Sequence, residues 1–256
     1  MLLAIDIGNT NIIFGIYDNE HLIASSRIAT HRDQTEDEYG ITLNSLLLYH
    51  GVKPGDIKGG IISSVVPTLT NILERMCNKY LSIKPLIVGP GTKTGINIKY
   101  ENPREVGADR IANTIAAYNK YGGPVIIVDF GTATTFDAVS HDLDYLGGAI
   151  APGIKISTDA LFNSAARLYK VELSQQENII GKNTAQSMQA GIYFGYIGLV
   201  DNIVELIKEE MGGGRIFTVA TGGLAPLICS GTKNIDTVDM LLTLDGLKIL
   251  YEKNIL

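Results

Sequence analysis

Residues 125–140, VIIVDFGTATTFDAVS, repeat the plan of residues 4–18, AIDIGNTNIIFGIYD. Each copy is an apolar run closed by an aspartate, then an apolar residue, a glycine, a turn rich in hydroxyl or amide side chains, and a second apolar run. Such a pattern reads as strand, tight turn, strand. Asp6 and Asp129 stand 123 residues apart. A second echo keeps the same order: GGIISSVVPTL at 59–69 and FTVATGGLAPLI at 217–228 are each an apolar strand, a small-residue turn, a proline and the start of a helix. Two echoes in one order predict a duplicated domain. The boundary is expected at the short YNKYGG segment, giving halves 1–118 and 119–256 with the functional cleft where they meet.

Outward from these repeats, strands are predicted at 2–5, 12–17, 21–27, 59–63 and 86–88, and helices at 35–49, from Pro67 through Tyr80, at 102–120 and at about 185–211. In the first helix Tyr39, Leu43, Leu46 and Leu47 fall on one face. Asn102 and Pro103 suit a cap and a first helical turn. Strands alternating with helices argue for an α/β fold whose largely parallel sheet is covered. Met76, Met188 and the remaining apolar residues are expected in the core.

The composition narrows the function classes. Of 256 residues 28 are glycine, about 11% against an average near 7%, yet only 8 are proline, so collagen-like and disordered readings are excluded. Cys77 and Cys229 form no CxxC pair, which argues against a disulfide framework or a cysteine zinc site and fits a reducing cytoplasm. The four histidines (21, 31, 50, 141) show no ligand spacing. A net charge of −6 with no Lys/Arg block disfavours nucleic acid as the main partner. The N-terminus, interrupted by Asp6, lacks the build of a secretory signal. No uncharged apolar run approaches the roughly 18 residues of a membrane span, so no membrane association is expected.

The repeated loops carry the candidate chemistry. With Gly8 permitting a tight turn, backbone N–H groups and the side chains of Asn9, Thr10 and Asn11 can surround phosphate oxygens, and Asp6 can hold Mg²⁺ directly or through water. One such motif is equally an ordinary hairpin with Asx hydrogen bonds. A second copy at Asp129–Thr135, with a Thr221-Gly222-Gly223-Leu224 turn on which adenosine could rest, supplies the parts of a nucleotide cleft. No GxxxxGK[ST] occurs, which excludes a P-loop.

Other residues carry two readings. Arg104, Glu105, Asp109 and Arg110 form either a solvated helix face with i,i+4 pairs or an acceptor site. Asp129, in an apolar run, calls for backbone donors or a cation to offset its burial. Asp137 caps a strand or faces solvent. Thr184 suits a helix cap, compatible with a substrate hydrogen bond. Gly191, Gly195 and Gly198, beside Tyr193, Phe194 and Tyr196, make either internal packing or an interface between two copies.

The motifs DIGNTN (6–11), ENPREVGADRIANTIAA (101–117), VDFGTATTFD (128–137), GGAIAPG (147–153), IGKNTAQSMQAGIYFGYIGLVD (180–201), TGGLAP (221–226) and LTLDGL (242–247) resemble the type III pantothenate kinase family. That family lies within the acetate and sugar kinase, heat-shock protein 70 and actin superfamily. The resemblance spans nearly the whole chain and implies duplicated ribonuclease H-like (actin-like ATPase) domains, each a mixed sheet flanked by helices. It implies ATP-dependent phosphorylation of pantothenate to 4′-phosphopantothenate, the first step of coenzyme A synthesis.

By position, the resemblance makes Asp6, Ile7, Gly8, Asn9, Thr10, Asn11, Ile12 and Ile13 the first ATP loop, with Asp6 near Mg²⁺, and makes Thr132 an ATP contact. It assigns pantothenate to Tyr100, Gly107, Ala108, Asp109, Arg110 and Thr184, with Asp109 as proton acceptor. It also implies a monovalent cation, K⁺ or ammonium, at Asp129, and a cytoplasmic homodimer whose interface completes the pantothenate site. Two rivals share the loops: a same-fold kinase for another acceptor, differing at Tyr100, Gly107–Arg110 and Thr184, and an inactive nucleotide-binding regulator. The second has no need of the carboxylates Asp109 and Asp129.

Overall fold

The structure, a computed structural model, describes residues 1–164 and 171–255. The chain forms two compact units. The first comprises Met1–Gly95, Glu101–Ala116 and Leu242–Leu256, and the second Ile96–Tyr100 and Ala117–Leu241.

In the first unit β1 (Leu2–Ile7), β2 (Asn11–Asp18) and β3 (His21–Ala29) make an antiparallel meander, followed by helix α1 (Glu36–Tyr49), β4 (Gly59–Ser64), α2 (Pro67–Leu81) and β5 (Leu86–Ile87). The sheet order is β3-β2-β1-β4-β5, with β4 parallel to β1 and β5 parallel to β4. Helix α1 starts where the sequence supplies a capping box: Thr35 and Glu38 satisfy each other's backbone N–H groups, a device worth about 1 kcal/mol. Tyr39, Leu43 and Leu47 of α1 and Leu69, Leu73 and Met76 of α2 are fully buried against Leu3, Ile5 and Ile7 of β1. Each such side chain contributes about 1.5–3 kcal/mol of hydrophobic stabilisation.

The second unit repeats this order. Its meander is β7 (Val125–Phe130), β8 (Ala133–Val139) and β9 (Asp144–Pro152). Helices α4 (Ile154–Ser164) and α5 (Thr184–Glu210) follow, then β10 (Phe217–Thr221), α6 (Ala225–Cys229) and β11 (Thr237–Val238). The sheet order β11-β10-β7-β8-β9 mirrors the first, with one added edge strand, β6 (Asn97–Ile98), parallel to β9. Both sheets are therefore mixed, an antiparallel meander extended by parallel strands, rather than largely parallel. The duplication read from the two echoes is matched strand for strand.

Two further expectations are corrected. The helix predicted over 102–120 is broken: Asn102 caps a short 3₁₀ turn at Pro103–Glu105, accepting from the Arg104 N–H at 3.3 Å, and helix α3 (Ala108–Tyr121) begins only after Gly107. The expected division at 118/119 also differs from the observed units. The chain does pass from one to the other within α3, at Ala116/Ala117, but residues 96–100 join the second unit and helix α7 (Leu242–Ile255) returns to the first.

Small residues make room for α7. Gly15 faces Leu244, Gly59 faces the Tyr251 hydroxyl, and Gly246 sits against the Ala112 backbone of α3, where any Cβ would collide.

Helix α5 is the one described helix long and apolar enough to cross a membrane by length and mean hydropathy, a property the sequence reading does not register. It is a core helix. Tyr193, Tyr196, Val200 and Val204 lie in the apolar cluster of the second unit, and the Tyr196 hydroxyl donates to the Pro152 carbonyl at 2.9 Å. Gly191, Gly195 and Gly198 are on its exposed side, with no atom within 4 Å of where a Cβ would stand, so internal packing does not account for them.

Candidate active site

The first loop grows from the β1–β2 pairing. Ile7 and Ile12 are the last paired residues and are fully buried, so residues 8–11 form the turn, closed by the Gly8 N–H donating to the Asn11 carbonyl at 2.9 Å. Asn9 and Thr10 are exposed at its tip. Ile7 and Ile12, expected in the ATP loop, thus offer only backbone.

The end of β3 braces this turn. Thr30 Oγ1 donates to the Gly8 carbonyl at 2.7 Å, the Thr30 N–H donates to the Thr10 carbonyl at 3.0 Å, and Arg32 Nη2 donates to Asn9 Oδ1 at 3.0 Å.

Asp6, half-buried, is in register with Ile13 on β2 and Ser63 on β4, so these side chains share one face of the sheet. The Ser63 hydroxyl is fully buried and has no hydrogen-bond partner. A carboxylate beside an unsatisfied hydroxyl is a hard-oxygen set of the kind Mg²⁺ takes.

The second loop is one residue shorter, because β7 and β8 pair as far as Phe130 and Thr134. The Gly131 N–H donates to the Ala133 carbonyl at 3.0 Å, leaving Gly131 and Thr132 exposed. Gly153, from the GGAIAPG stretch, backs directly onto the Thr132 carbonyl.

Asp129 lies in register with Thr135 on β8 and Thr221 on β10, so the apolar run presents its carboxylate among hydroxyl side chains. The Thr135 hydroxyl is buried without a hydrogen-bond partner. Gly222, at φ 93°, closes the site: a Cβ there would stand 2.6 Å from Asp129 Oδ1 and from the Phe130 carbonyl. Carboxylate, hydroxyls and carbonyl together fit a monovalent cation.

The acceptor candidates fall in three places. Asp109 is in the first turn of α3, half-buried, its Oδ1 accepting the Arg110 N–H at 2.8 Å and folding back over Gly107. Arg110 is only 7% exposed, whereas Arg104 and Glu105 are exposed on the 3₁₀ turn. The solvated-face reading therefore holds for two of the four charged residues, since the break at Gly107 separates them. Tyr100 follows β6, half-buried, with its ring against Gly147 and 6.1 Å from the Tyr145 ring. Thr184 is the exposed first residue of α5. The cap there is Asn183, which accepts from the Gln186 N–H at 2.9 Å, so capping does not explain Thr184.

Asp137 is neither a cap nor solvent-facing. It is fully buried on β8, where its Oδ1 accepts the Tyr145 hydroxyl at 2.7 Å. Its strand is covered on both faces, so alternation along the sequence could not reveal this. The sequence also gave no signal for Thr30, Arg32 or Ser63. The two thiols offer no nucleophile: burial pushes Cys77 up to about 12 and Cys229 to about 11, keeping both protonated at neutral pH.

The sequence profile of the type III pantothenate kinase family matches residues 2–206. The chain belongs to that family. A type III pantothenate kinase of Geobacillus thermodenitrificans is 56% identical over 254 residues, 99% of this chain and 98% of that protein. Among solved structures, one from Campylobacter jejuni, named for a Baf family transcriptional activator, superposes with TM-score 0.62 at 21% identity over 98% of both chains. One from Sinorhizobium meliloti, named for a 2-dehydro-3-deoxygalactonokinase, gives 0.59 at 13% identity over 98% of this chain and 96% of the other. At these identities the structures speak for the fold, an α/β arrangement of mixed sheets and helices shared with sugar kinases.

Proposed function

We propose that this chain transfers the γ-phosphoryl group of ATP to the primary hydroxyl of pantothenate, giving 4′-phosphopantothenate and ADP, the first step of coenzyme A synthesis. Membership of the type III pantothenate kinase family carries the reaction and the enzyme class. The observation that most supports an active enzyme is the placement of Asp109: a half-buried carboxylate in the first turn of α3, where helix N–H groups favour negative charge.

In this reading Gly8–Asn11, exposed at Asn9 and Thr10, bind ATP phosphates, and Thr132 is an ATP contact. Asp6 with Ser63 would hold Mg²⁺, which supplies charge neutralisation at the phosphates. Asp129, Thr135 and the Phe130 carbonyl would hold K⁺ or ammonium, which offsets the cost of the Asp129 carboxylate in an apolar strand. Arg110 is suited to pair with the acceptor's carboxylate, and Tyr100 and Thr184 are taken as acceptor contacts from the family resemblance. Asp109 Oδ1 is engaged by the Arg110 N–H, and Oδ2 accepts the hydroxyl proton as the new P–O bond forms. Positioning and charge carry most of the rate in such a transfer, with proton removal completing it.

A coupled ADP-release assay with pantothenate, with and without K⁺, tests the reading. Release that requires both pantothenate and a monovalent cation is the expected result. Release only with another acceptor selects the other kinase, and none under any condition selects the regulator.

The enzyme acts in the cytoplasm as a homodimer joined along α5. The open glycine stripe Gly191, Gly195 and Gly198 supports this, because it lets a second backbone approach closely. Sedimentation should give a dimer, and Gly195→Glu should shift it toward monomer with loss of activity. A fully active wild-type monomer would sink the dimer.

A further inference from the structure

We infer that Arg32 is a further nucleotide-binding residue, one that supplies to the ATP phosphates the positive charge that both glycine loops lack. The inference rests on the kinase reading above. Residues 6–13 and 129–135 contain no lysine or arginine and carry two aspartates, in a chain of net charge −6. Backbone N–H dipoles and a divalent cation leave part of a polyphosphate's charge uncompensated, and a cationic side chain is the usual remaining source.

Arg32 is held where such a charge is needed. Its Nη2 donates to Asn9 at the tip of the first loop (3.0 Å), which accounts for one of five guanidinium donors. Two residues earlier, Thr30 is bonded to the same loop through both its hydroxyl (2.7 Å) and its N–H (3.0 Å). One residue earlier, His31 is fixed by the buried Tyr39, whose hydroxyl donates to the His31 carbonyl at 2.8 Å. The backbone on the N-terminal side of Arg32 is thus tied to the loop and to α1.

The segment 30–34, with Glu38, lines a shallow hollow open to solvent. Glu38 is engaged there by Thr35 in the capping box. Asp33 shares the lip and opposes an anionic ligand.

An exposed Arg–Asn hydrogen bond adds little to folding, so its conservation of stability on removal separates a ligand role from a structural one. Arg32→Ala, Arg32→Lys and Asp33→Asn are compared with wild type in steady-state kinetics, thermal melts and calorimetric titration with a non-hydrolysable ATP analogue and with adenosine. Arg32→Ala should raise KM for ATP by about ten-fold or more, weaken the analogue but not adenosine, and leave pantothenate KM and Tm unchanged. Lysine should restore part of the loss, as a point charge without the planar fork, and Asp33→Asn should tighten ATP. A wild-type enzyme that turns over pantothenate while Arg32→Ala keeps its ATP KM overturns the inference. So does a joint loss of Tm and of affinity for both substrates, which marks a structural role. Wild type that releases no ADP with pantothenate overturns the underlying reading instead.

Discussion

Asp109→Asn is expected to lower kcat by about 10²–10⁴-fold, the usual contribution of a positioned general base, with ATP affinity close to wild type. The substitution preserves shape and the hydrogen bond from the Arg110 N–H (2.8 Å), so α3 should begin where it does now and Tm should hold. What it removes is the carboxylate's ability to take a proton while the hydroxyl attacks. The amide can orient the acceptor but cannot accept that proton, so the loss should fall on kcat and leave pantothenate KM within a few-fold. Turnover near wild type would show that charge and positioning carry the reaction alone and would remove Asp109 from the chemistry.

Gly222→Ala should be the most damaging single-methyl change, lowering both stability and activity. The residue has φ 93°, a region that costs an alanine roughly 1–2 kcal/mol. Its Cβ would stand 2.6 Å from Asp129 Oδ1 and the Phe130 carbonyl, and such overpacking against backbone costs about 1–3 kcal/mol more. Together these amount to about 2–5 kcal/mol, a Tm lower by roughly 5–15 °C for a chain of this size. The activity loss should exceed what unfolding explains, because the displaced carboxylate is the proposed cation ligand. Titrating K⁺ into the variant at low temperature should show a raised or absent activation. Gly55→Ala is the contrast: exposed on the 3₁₀ turn Pro54–Asp56, with open space around it and no left-handed φ, it should leave the stability close to wild type. Equal Tm for the two variants would refute the close approach at Gly222.

Much of the fold was legible because two independent periodicities were written twice. Apolar runs ending at Asp-x-Gly fix a strand and its turn, and the second copy removes the ambiguity of the first. Helix α1 is readable from Thr35 and Glu38, whose chemistry is local, and α2 from Pro67. The break in the 102–120 helix was not readable, since Val106 and Gly107 interrupt a pattern that stays apolar at helical spacing. The return of α7 to the first unit depends on Gly15, Gly59 and Gly246, spread over most of the chain, offering room to one helix.

The same division runs through the site. The sequence by itself determined the duplicated Asp–Gly loops, the absence of a P-loop, and the order of motifs that marks the family, because these depend on neighbours within a few residues. Only the tertiary structure decided that Asp137 is buried under Tyr145, that Asn183 rather than Thr184 caps α5, and that Arg32 reaches the first loop. It also set Ser63 beside Asp6 and Thr135 beside Asp129. Those relations are made across strands and between distant segments, where register and packing choose each residue's neighbours, and no local spacing encodes them.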